Sequence, residues 1–372
     1  MIRRKIADEL LRLAGEYPVV VITGPRQSGK TTLAKMEFPD FSYANLETPE
    51  SREYARRDPK GFLDDHPRPL VIDEVQRVPE LLSWIQPLVD QDLRRPQYVL
   101  TGSNQFQLMQ SLTQSLAGRA ALATLLPFSF EELEGTETQI TRDEALVKGF
   151  LPRVHAEALR PTQAYGNYFR TYVERDLRLI LNVKDLTRFE TFLRLLAGRV
   201  GQVVNLAGLG NEAGVSGATV KEWLSALEAS YIIFRLPAFS RNLGKRLVKS
   251  PKLYFVEPGL AAYLLQIETA TQASRDPLLG GLFENMVVTE VVKAHLNRGR
   301  DPAVSYFRDN AGHEIDLIVE RNRVPHPVEI KSGKTIAEDW FRGLRWFSDL
   351  AEPYSGPTGG TLVYGGEERR GG

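Results

Sequence analysis

The chain has 372 residues, which is too long for a single small hydrophobic core and predicts two or three domains. Its 42% apolar and 25% charged residues are ordinary for a globular protein. It contains no cysteine, which excludes disulfide bonds and cysteine-ligated zinc. The net charge is zero, but residues 160–250 carry 14 Lys and Arg against 7 Asp and Glu, which indicates either a surface for a polyanion or a solvated helical face.

A phosphate-binding loop follows the first predicted strand. Residues 1–17 have helical periodicity. The apolar run 19–22 is too short for a membrane span, so we expect it to form a strand. We accordingly expect a cytoplasmic protein without membrane contact. The stretch Gly24-Pro-Arg-Gln-Ser-Gly-Lys-Thr31 fits G-x-x-x-x-G-K-[ST] without a mismatch. In such a loop the lysine reaches the β- and γ-phosphates and the threonine hydroxyl binds Mg²⁺. The predicted ATP contacts are Gly24, Pro25, Arg26, Gln27, Ser28, Gly29, Lys30, Thr31 and Thr32.

Two later strands end in polar residues that a parallel sheet would bring to the same edge. The first ends in Asp73, predicted to hold Mg²⁺, and Glu74, predicted to orient or activate the attacking water. The second, from Tyr98, ends in Ser103 and Asn104, which either hydrogen-bond the γ-phosphate or water, or cap a turn. Arg119 precedes a further strand, 121–126, where it either enters a neighbouring subunit's site as an arginine finger or interacts with a helix C-terminus.

Residues 161–236 predict mainly helices. Within them, 206–236 match a helix-turn-helix with its turn at 214–216, followed by a β-hairpin. Lys221 lies on the polar side of the second helix. The basic loop at the position of a wing carries Arg241, Lys245, Arg246, Lys249 and Lys252. These charges favour DNA binding over a purely protein-binding winged helix.

The last segment begins near residue 280 and predicts a helix carrying Glu284, followed by strands. A turn at 321–325 would bring Asp316 beside Glu329 and Lys331. Asp316 and Glu329 can hold Mg²⁺ or Mn²⁺, and Lys331 can orient a water for phosphodiester hydrolysis. The alternative is a salt bridge on a solvated sheet face. The glycine-rich stretch from Gly356 predicts a flexible tail.

Together these motifs resemble a known family. The P-loop, Asp73–Glu74, 101–104 and 117–119 resemble the AAA+ ATPase domain of a large prokaryotic group of ATP-binding proteins, and 165–340 looks like the C-terminal region usually paired with it. The resemblance implies a five-stranded parallel sheet with a small lid, and a ring, expected to be a hexamer, with ATP between subunits. It implies that Asn104 is the sensor with Ser103 as its substitute, that Arg119 is the finger, and that Arg153 reaches the γ-phosphate from the lid. The last domain is similar to the PD-(D/E)xK, or restriction-endonuclease-like, fold.

We therefore predict an α/β protein with three regions: an AAA+ ATPase domain over 1–160, a helical and winged helix-turn-helix region over 161–272, and a nuclease-like domain over 273–372. The preferred hypothesis is an oligomeric enzyme that uses ATP to translocate or remodel DNA, including branched or recombining DNA, and cleaves it. The alternatives are a regulatory NTPase switch or a DNA-remodelling ATPase, in which the nuclease-like domain is inactive and only binds.

Overall fold

The computed structural model describes residues 2–92, 94–103, 108, 112, 114–134, 140–174, 185–239, 250–355 and 359–368. Its first layer is a five-stranded sheet in the order β2-β3-β4-β1-β5. The strands are β1 Val19–Thr23, β2 Ser42–Asn45, β3 Leu70–Asp73, β4 Tyr98–Gly102 and β5 Ala120–Thr124. Every pairing is parallel, which confirms the predicted parallel sheet.

Helices cover both faces of this sheet. They are α1 Ala7–Glu16, α2 Lys30–Glu37, α3 Pro49–Arg57, α4 Pro59–Asp65 and α5 Leu81–Gln91. Side chains alternate along a strand, so Val20 and Ile22 of β1 pack with α1 and α2, whereas Val19 and Val21 pack with α4 and α5. A strand buried on both faces is apolar throughout, which explains the continuous Val-Val-Val-Ile run.

The middle of the chain is mainly helical. Its elements are α6 Phe130–Leu133, α7 Arg142–Lys148, α8 Pro152–Ala156, α9 Pro161–Tyr168, a π-helical turn Phe169–Glu174, α10 Leu186–Ala197, α11 Leu206–Ala213, α12 Gly217–Ala229, β6 Ile233–Leu236, β7 Lys252–Phe255, α13 Pro258–Leu264 and α14 Ala270–Arg275. Gly214 has φ 68° and ends α11, and the Ser216 hydroxyl accepts the Thr219 N–H to begin α12. Two helices joined by a turn therefore lie where the helix-turn-helix was predicted, and β6 pairs antiparallel with β7 after them.

The last segment forms a second sheet, in the order β11-β10-β9-β8. Its elements are α15 Leu279–Leu296, β8 Val304–Arg308, β9 Glu314–Arg321, β10 Val324–Lys331, α16 Arg342–Ser355 and β11 Thr361–Tyr364. Asn322 and Arg323 both have positive φ and make the tight turn between β9 and β10. The prediction of a flexible tail from Gly356 is wrong for β11, because its β-branched and aromatic residues continue the sheet, parallel to β10.

Residues 128–156, predicted as the end of the first domain, share one apolar core with the later helices and the second sheet. The Phe130 N–H donates to Glu290 on α15 (2.8 Å), and the Lys293 ammonium donates to the Phe128 carbonyl (2.7 Å). The middle and last segments thus pack as one body. Within the described part of the chain, no helix is both long enough and apolar enough to cross a bilayer.

Candidate functional site

The P-loop connects β1 to α2 in a backbone conformation that needs glycine. Gly24 has φ 142°, and a Cβ there would lie 2.1 Å from the Leu125 carbonyl oxygen, so no side chain fits. The Lys30 ammonium lies inside the curve of the loop, where it donates to the carbonyls of Gly24 (3.0 Å) and Pro25 (2.7 Å). Burial lowers the pKa of Lys30 to about 8, against the opposing effect of the Glu74 and Asp73 carboxylates.

The carboxylate at the end of β3 joins three elements. Asp73 accepts hydrogen bonds from the Thr31 hydroxyl at 3.0 and 2.9 Å and from the Tyr43 hydroxyl at 2.9 Å. It also accepts one from the Thr101 hydroxyl on β4. A hydroxyl and a carboxylate side by side are oxygen ligands of the kind that Mg²⁺ prefers, so Thr31 and Asp73 fit the predicted metal position.

Glu74 follows Asp73 with its backbone in the left-handed region (φ 58°), a conformation that concentrates at functional sites. The Glu74 N–H donates to the Thr101 hydroxyl (3.1 Å). Its carboxylate accepts from the Gln76 side-chain amide and, at 3.4 Å, from the Ser103 hydroxyl. Ser103 thus lies beside the predicted water-activating group, whereas Asn104 falls outside the described residues.

A cleft of about 510 Å³ opens over the loop. Its lining residues come from both the sheet and the middle segment: Arg26, Gln27, Gly29, Lys30, Thr31, Thr32, Glu47, Glu74, Arg77, Pro152, Arg153, Thr171 and Tyr172. Arg153 is thus one of the lining residues, and its guanidinium is paired with Glu157 at 2.9 Å. Gly24, Pro25 and Ser28 are buried beneath the lining.

Tyr172 connects this cleft to the helix-turn-helix. Its ring lies against the Arg26 guanidinium, 5.4 Å from the ring centroid, and its hydroxyl donates to the Ser230 carbonyl (2.9 Å) immediately after α12. The next residue, Tyr231, donates through its hydroxyl to Thr23 (3.0 Å), the last residue of β1 before the P-loop. The end of α12 thus reaches the P-loop in two ways, directly from Tyr231 to Thr23 and indirectly from Ser230 through Tyr172 to Arg26.

Arg119 lies at the amino-terminal ends of the strands, opposite the end of the sheet that carries the P-loop. It precedes β5, whose first residue pairs with Val19 at the start of β1. Its guanidinium binds both oxygens of Asp90, at 2.6 and 2.9 Å, and this hydrogen bonding raises the pKa of Arg119 and lowers that of Asp90. Arg119 therefore lies at the end of the sheet opposite its own P-loop.

The predicted C-terminal carboxylates do come together on one sheet face. The β9–β10 ladder ends at the pair Leu317 and Val328, and there the Asp316 carboxylate accepts the Ile330 N–H (2.8 Å). The Lys331 ammonium lies 2.7 Å from Glu329 and 3.5 Å from Asp316.

Lys252 of β7 enters the same cluster, which the sequence did not predict. Its ammonium lies 2.9 Å from Glu284, 2.7 Å from Glu314 and 4.0 Å from Asp316. Burial lowers the pKa of Lys252, but those carboxylates outweigh burial and raise it overall. Assigning Lys252 to a DNA-binding wing is therefore wrong, because its side chain is buried among acidic groups.

Burial also changes the pKa values of two carboxyl groups in this cluster. Burial and the Asp316 charge raise the pKa of Glu329 to about 7, although Lys331 opposes them. Burial also raises the pKa of Glu284, against the effect of Lys252. Among the residues that the structure describes, no group of three or more acidic or histidine side chains is arranged to hold a metal ion. The cluster as it stands offers the predicted Mg²⁺ few oxygens, because Lys252 and Lys331 pair with its carboxylates and, among the described residues, leave the Glu329 Oε2 atom without a hydrogen-bond partner.

Of the predicted DNA contacts, Lys221 lies on the exposed side of α12, as expected. Arg241, Lys245, Arg246 and Lys249 lie outside the described residues.

Sequence reasoning missed the roles of four side chains that shape these sites: Thr101, Gln76, Tyr172 and Lys252. Thr101 and Gln76 stand within the predicted polar strand ends, so their position along the strands was a usable signal. Tyr172 and Lys252 act across long sequence separations, which local patterns do not encode.

Three stretches of the chain match known families. Residues 16–134 match the AAA domain family, and residues 139–271 and 279–371 match two families described as domains of unknown function, DUF8612 and DUF4143. An uncharacterised protein of Mycobacterium tuberculosis is 30% identical over 337 residues, covering 90% of this chain and 74% of that protein. The chain belongs to the same family, and it is an AAA-type P-loop ATPase.

This AAA-type ATPase has a more distant relative in Haemophilus influenzae, also uncharacterised, with 25% identity over 358 residues, 86% of this chain and 84% of that protein. Among solved structures, the Walker-type ATPase of Pyrococcus abyssi aligns with a TM-score of 0.46 and 14% identity, over 70% of this chain and 94% of that one.

Proposed function

We propose that this AAA-type ATPase binds ATP with Mg²⁺ in the cleft above the P-loop and hydrolyses it. The observation that supports the proposal is the contact between Thr31 and Asp73, because a hydroxyl and a carboxylate are oxygen ligands of the kind that Mg²⁺ prefers and Thr31 follows Lys30 in the P-loop. When bound, the metal neutralises charge on the phosphates. Glu74, at the end of the same strand, orients or deprotonates the attacking water.

The site is completed by a neighbouring subunit. Arg119 lies at the sheet edge opposite its own P-loop, which supports a role as the finger for the next subunit in a homo-oligomer, in our proposal a hexameric ring. Arg153 contacts the γ-phosphate after leaving Glu157, and Asn104, with Ser103 as its substitute, senses the same phosphate.

The nucleotide state sets the position of the helix-turn-helix, which binds DNA. Support comes from Tyr172, which lines the nucleotide cleft and holds the end of α12, and from Tyr231, which holds the end of β1. The proposed DNA contacts are Lys221, Arg241, Lys245, Arg246 and Lys249. Phosphate contacts by these cations give an affinity that falls steeply with salt.

The function that the geometry supports best is a DNA-remodelling ATPase or a regulatory switch. In that function the C-terminal domain only binds and does not cleave DNA. Lys252 supplies the positive charge that Glu284, Glu314 and Asp316 require. A buried ion cluster of this kind holds β7, and with it the hairpin after α12, against the second sheet.

DNA cleavage is the second candidate function. It is favoured by the proximity of Asp316, Glu329 and Lys331, and by the Glu329 Oε2 atom, which is buried and has no hydrogen-bond partner among the described residues. An orphaned carboxylate oxygen is expensive to keep buried, which is compatible with a retained chemical role.

One panel separates these functions. Wild-type protein, Lys30→Ala and Lys331→Ala are incubated with labelled duplex, forked, four-way-junction and single-stranded DNA, with Mg²⁺ or Mn²⁺, with and without ATP. We expect ATP-dependent binding without strand cleavage in the wild type. Cleavage that is lost in Lys331→Ala would replace the first candidate by the second. A variant neutralised at Lys245 and Arg246 tests DNA binding itself, since its affinity should fall for every sequence.

A further inference from the structure

A buried arginine near the N-terminus holds the P-loop from beneath. Arg4 is 8% exposed, and its guanidinium donates to the Ser28 carbonyl inside the P-loop at 2.7 Å. It also donates to the Leu126 carbonyl, two residues after β5, at 2.6 Å. Its Nε donates to Glu132 at 2.9 Å, and the Phe128 ring centroid lies 4.9 Å from the guanidinium carbon.

Glu132 is held in turn by the backbone around it. Its carboxylate accepts the N–H of Lys5 (2.7 Å) and the N–H of Ser129 (2.8 Å), the latter as part of the capping box of α6. Arg4 therefore joins the P-loop, the segment after β5 and the start of the middle segment through one rigid, planar group.

The contact with Ser28 has a consequence for the next amide. A trans peptide places its C=O and N–H on opposite sides of the bond, so a donor fixed on the Ser28 carbonyl points the Gly29 N–H away from Arg4. Gly29 lines the nucleotide cleft and has the left-handed φ of 94° that begins α2. Amides at this place in a P-loop contact phosphate.

We propose that Arg4 is a positioning residue for nucleotide binding, which fixes the Ser28–Gly29 peptide so that the Gly29 N–H faces the phosphates. This inference rests on the proposed ATP site. The alternative is that Arg4 stabilises the fold only, through its buried ion pair with Glu132.

Two variants weaken the same ion pair and differ at the P-loop. Arg4→Lys keeps the charge but lacks the planar group that reaches three acceptors at once. Glu132→Gln removes the partner's charge, retains an acceptor oxygen for one of the two neighbouring N–H groups, and leaves the Arg4 contact with Ser28 in place. Both should lower the melting temperature. The affinity of each for a fluorescent ATP analogue with Mg²⁺ is measured in the folded range.

We expect Arg4→Lys to weaken analogue binding about tenfold, as the loss of a charge-assisted hydrogen bond predicts, and Glu132→Gln to leave binding within about twofold. Equal effects of the two variants, or no effect of Arg4→Lys, would overturn the role of Arg4. Absence of binding by the wild type would instead overturn the ATP site, and this inference with it.

A third variant covers the case in which Arg4→Lys does not fold. Arg4→Met combined with Glu132→Gln leaves no unpaired buried charge, so it should fold, since neutral replacements of buried ion pairs are often tolerated. It lacks the contact with Ser28 and should bind the analogue as weakly as Arg4→Lys. Binding equal to that of Glu132→Gln alone would contradict the proposal.

Discussion

The hydroxyl of Tyr172, in the wall of the nucleotide cleft, donates a 2.9 Å hydrogen bond to the carbonyl of Ser230 at the end of the second helix of the helix-turn-helix. The same ring lies against Arg26 of the P-loop. One side chain thus touches both the nucleotide loop and the element proposed to bind DNA. A π-helical turn carries this tyrosine, and such turns are frequent at functional sites.

Tyr172→Phe should uncouple the nucleotide site from the proposed DNA-binding site without abolishing binding at either site. The variant keeps the ring beside Arg26 and loses the bond to Ser230, at a cost of about 1 kcal/mol of stability. ATP affinity should stay within about twofold of wild type, while DNA affinity should no longer differ between an ATP analogue and ADP. Fluorescence anisotropy of labelled duplex measures this difference.

The matched control is Tyr54→Phe, which removes a hydroxyl bonded to Asp65 on the first domain, outside this connection. It should leave the nucleotide dependence intact. If Tyr172→Phe also retains that dependence, the helix-turn-helix does not receive the nucleotide state through this residue.

The water-activating role of Glu74 predicts that binding and turnover separate. Glu74→Gln keeps the shape and the contact with Gln76 but removes the base, so ATP should bind with nearly normal affinity while kcat falls about a hundredfold or more. Glu47→Gln, which changes another carboxylate lining the cleft, serves as control. Steady-state phosphate release reports kcat, and a normal rate in Glu74→Gln would assign the water to another group.

The first sheet could be predicted because its signals are local. Apolar runs, the glycine pattern of the P-loop and polar strand ends locate β1, β3 and β4 and bring Lys30, Asp73 and Glu74 to one edge. Parallel pairing brings these residues together, because the carboxyl ends of neighbouring parallel strands lie side by side.

The C-terminal cluster was predicted only in part, for a physical reason. The turn at Asn322 and Arg323 fixes the register that places Asp316 near Glu329, and the hairpin is readable from sequence. Lys252 comes from β7, packed against this sheet through tertiary contacts, and no local pattern distinguishes a buried lysine from one on a basic loop. The glycines around β11 suggested flexibility although its pairing with β10 orders it.

Arg119→Ala should impair the neighbouring subunit's site and spare its own. A residue before β5 is separated from the P-loop after β1 by about 20 Å of strand, so it cannot serve both. ATP binding should persist while kcat falls about a thousandfold. Asp90→Ala frees Arg119 from its ion pair without removing it and should retain turnover.

Mixing subunits tests this directly. Glu74→Gln supplies an intact Arg119, and Arg119→Ala supplies an intact Glu74, so mixed oligomers should recover ATPase activity that neither variant has alone. Phosphate release is followed as the two are combined in varying ratio. If no mixture is more active than its components, Arg119 does not act between subunits.

Stability should depend on pH through Glu329. Its pKa is raised from 4.5 to about 7 in the folded protein, chiefly by burial, so the folded state holds this proton where the unfolded state has lost it. The Glu329 contribution is therefore fully present below about pH 4.5 and is lost as the pH rises toward 7. In urea unfolding, Glu329→Gln should gain free energy of unfolding relative to wild type across this interval.

Glu338→Gln provides the comparison, because the Glu338 side chain is 83% exposed. Its difference from wild type should be flat across the same pH interval. A Glu329→Gln difference that is equally flat would mean that Glu329 ionises with an ordinary pKa in the folded protein.

The most direct test of the ATP site is calorimetric titration of wild type, Lys30→Ala and Lys35→Ala with Mg²⁺ and a non-hydrolysable ATP analogue. Lys30 lies inside the loop, whereas Lys35 is one turn further along α2, against the Tyr43 ring. We predict that wild type and Lys35→Ala bind the analogue alike and that Lys30→Ala loses binding by about a hundredfold or more, since it removes the ammonium that contacts the phosphates. Equal binding by all three proteins, or none by the wild type, would contradict the assignment of this loop as the nucleotide site.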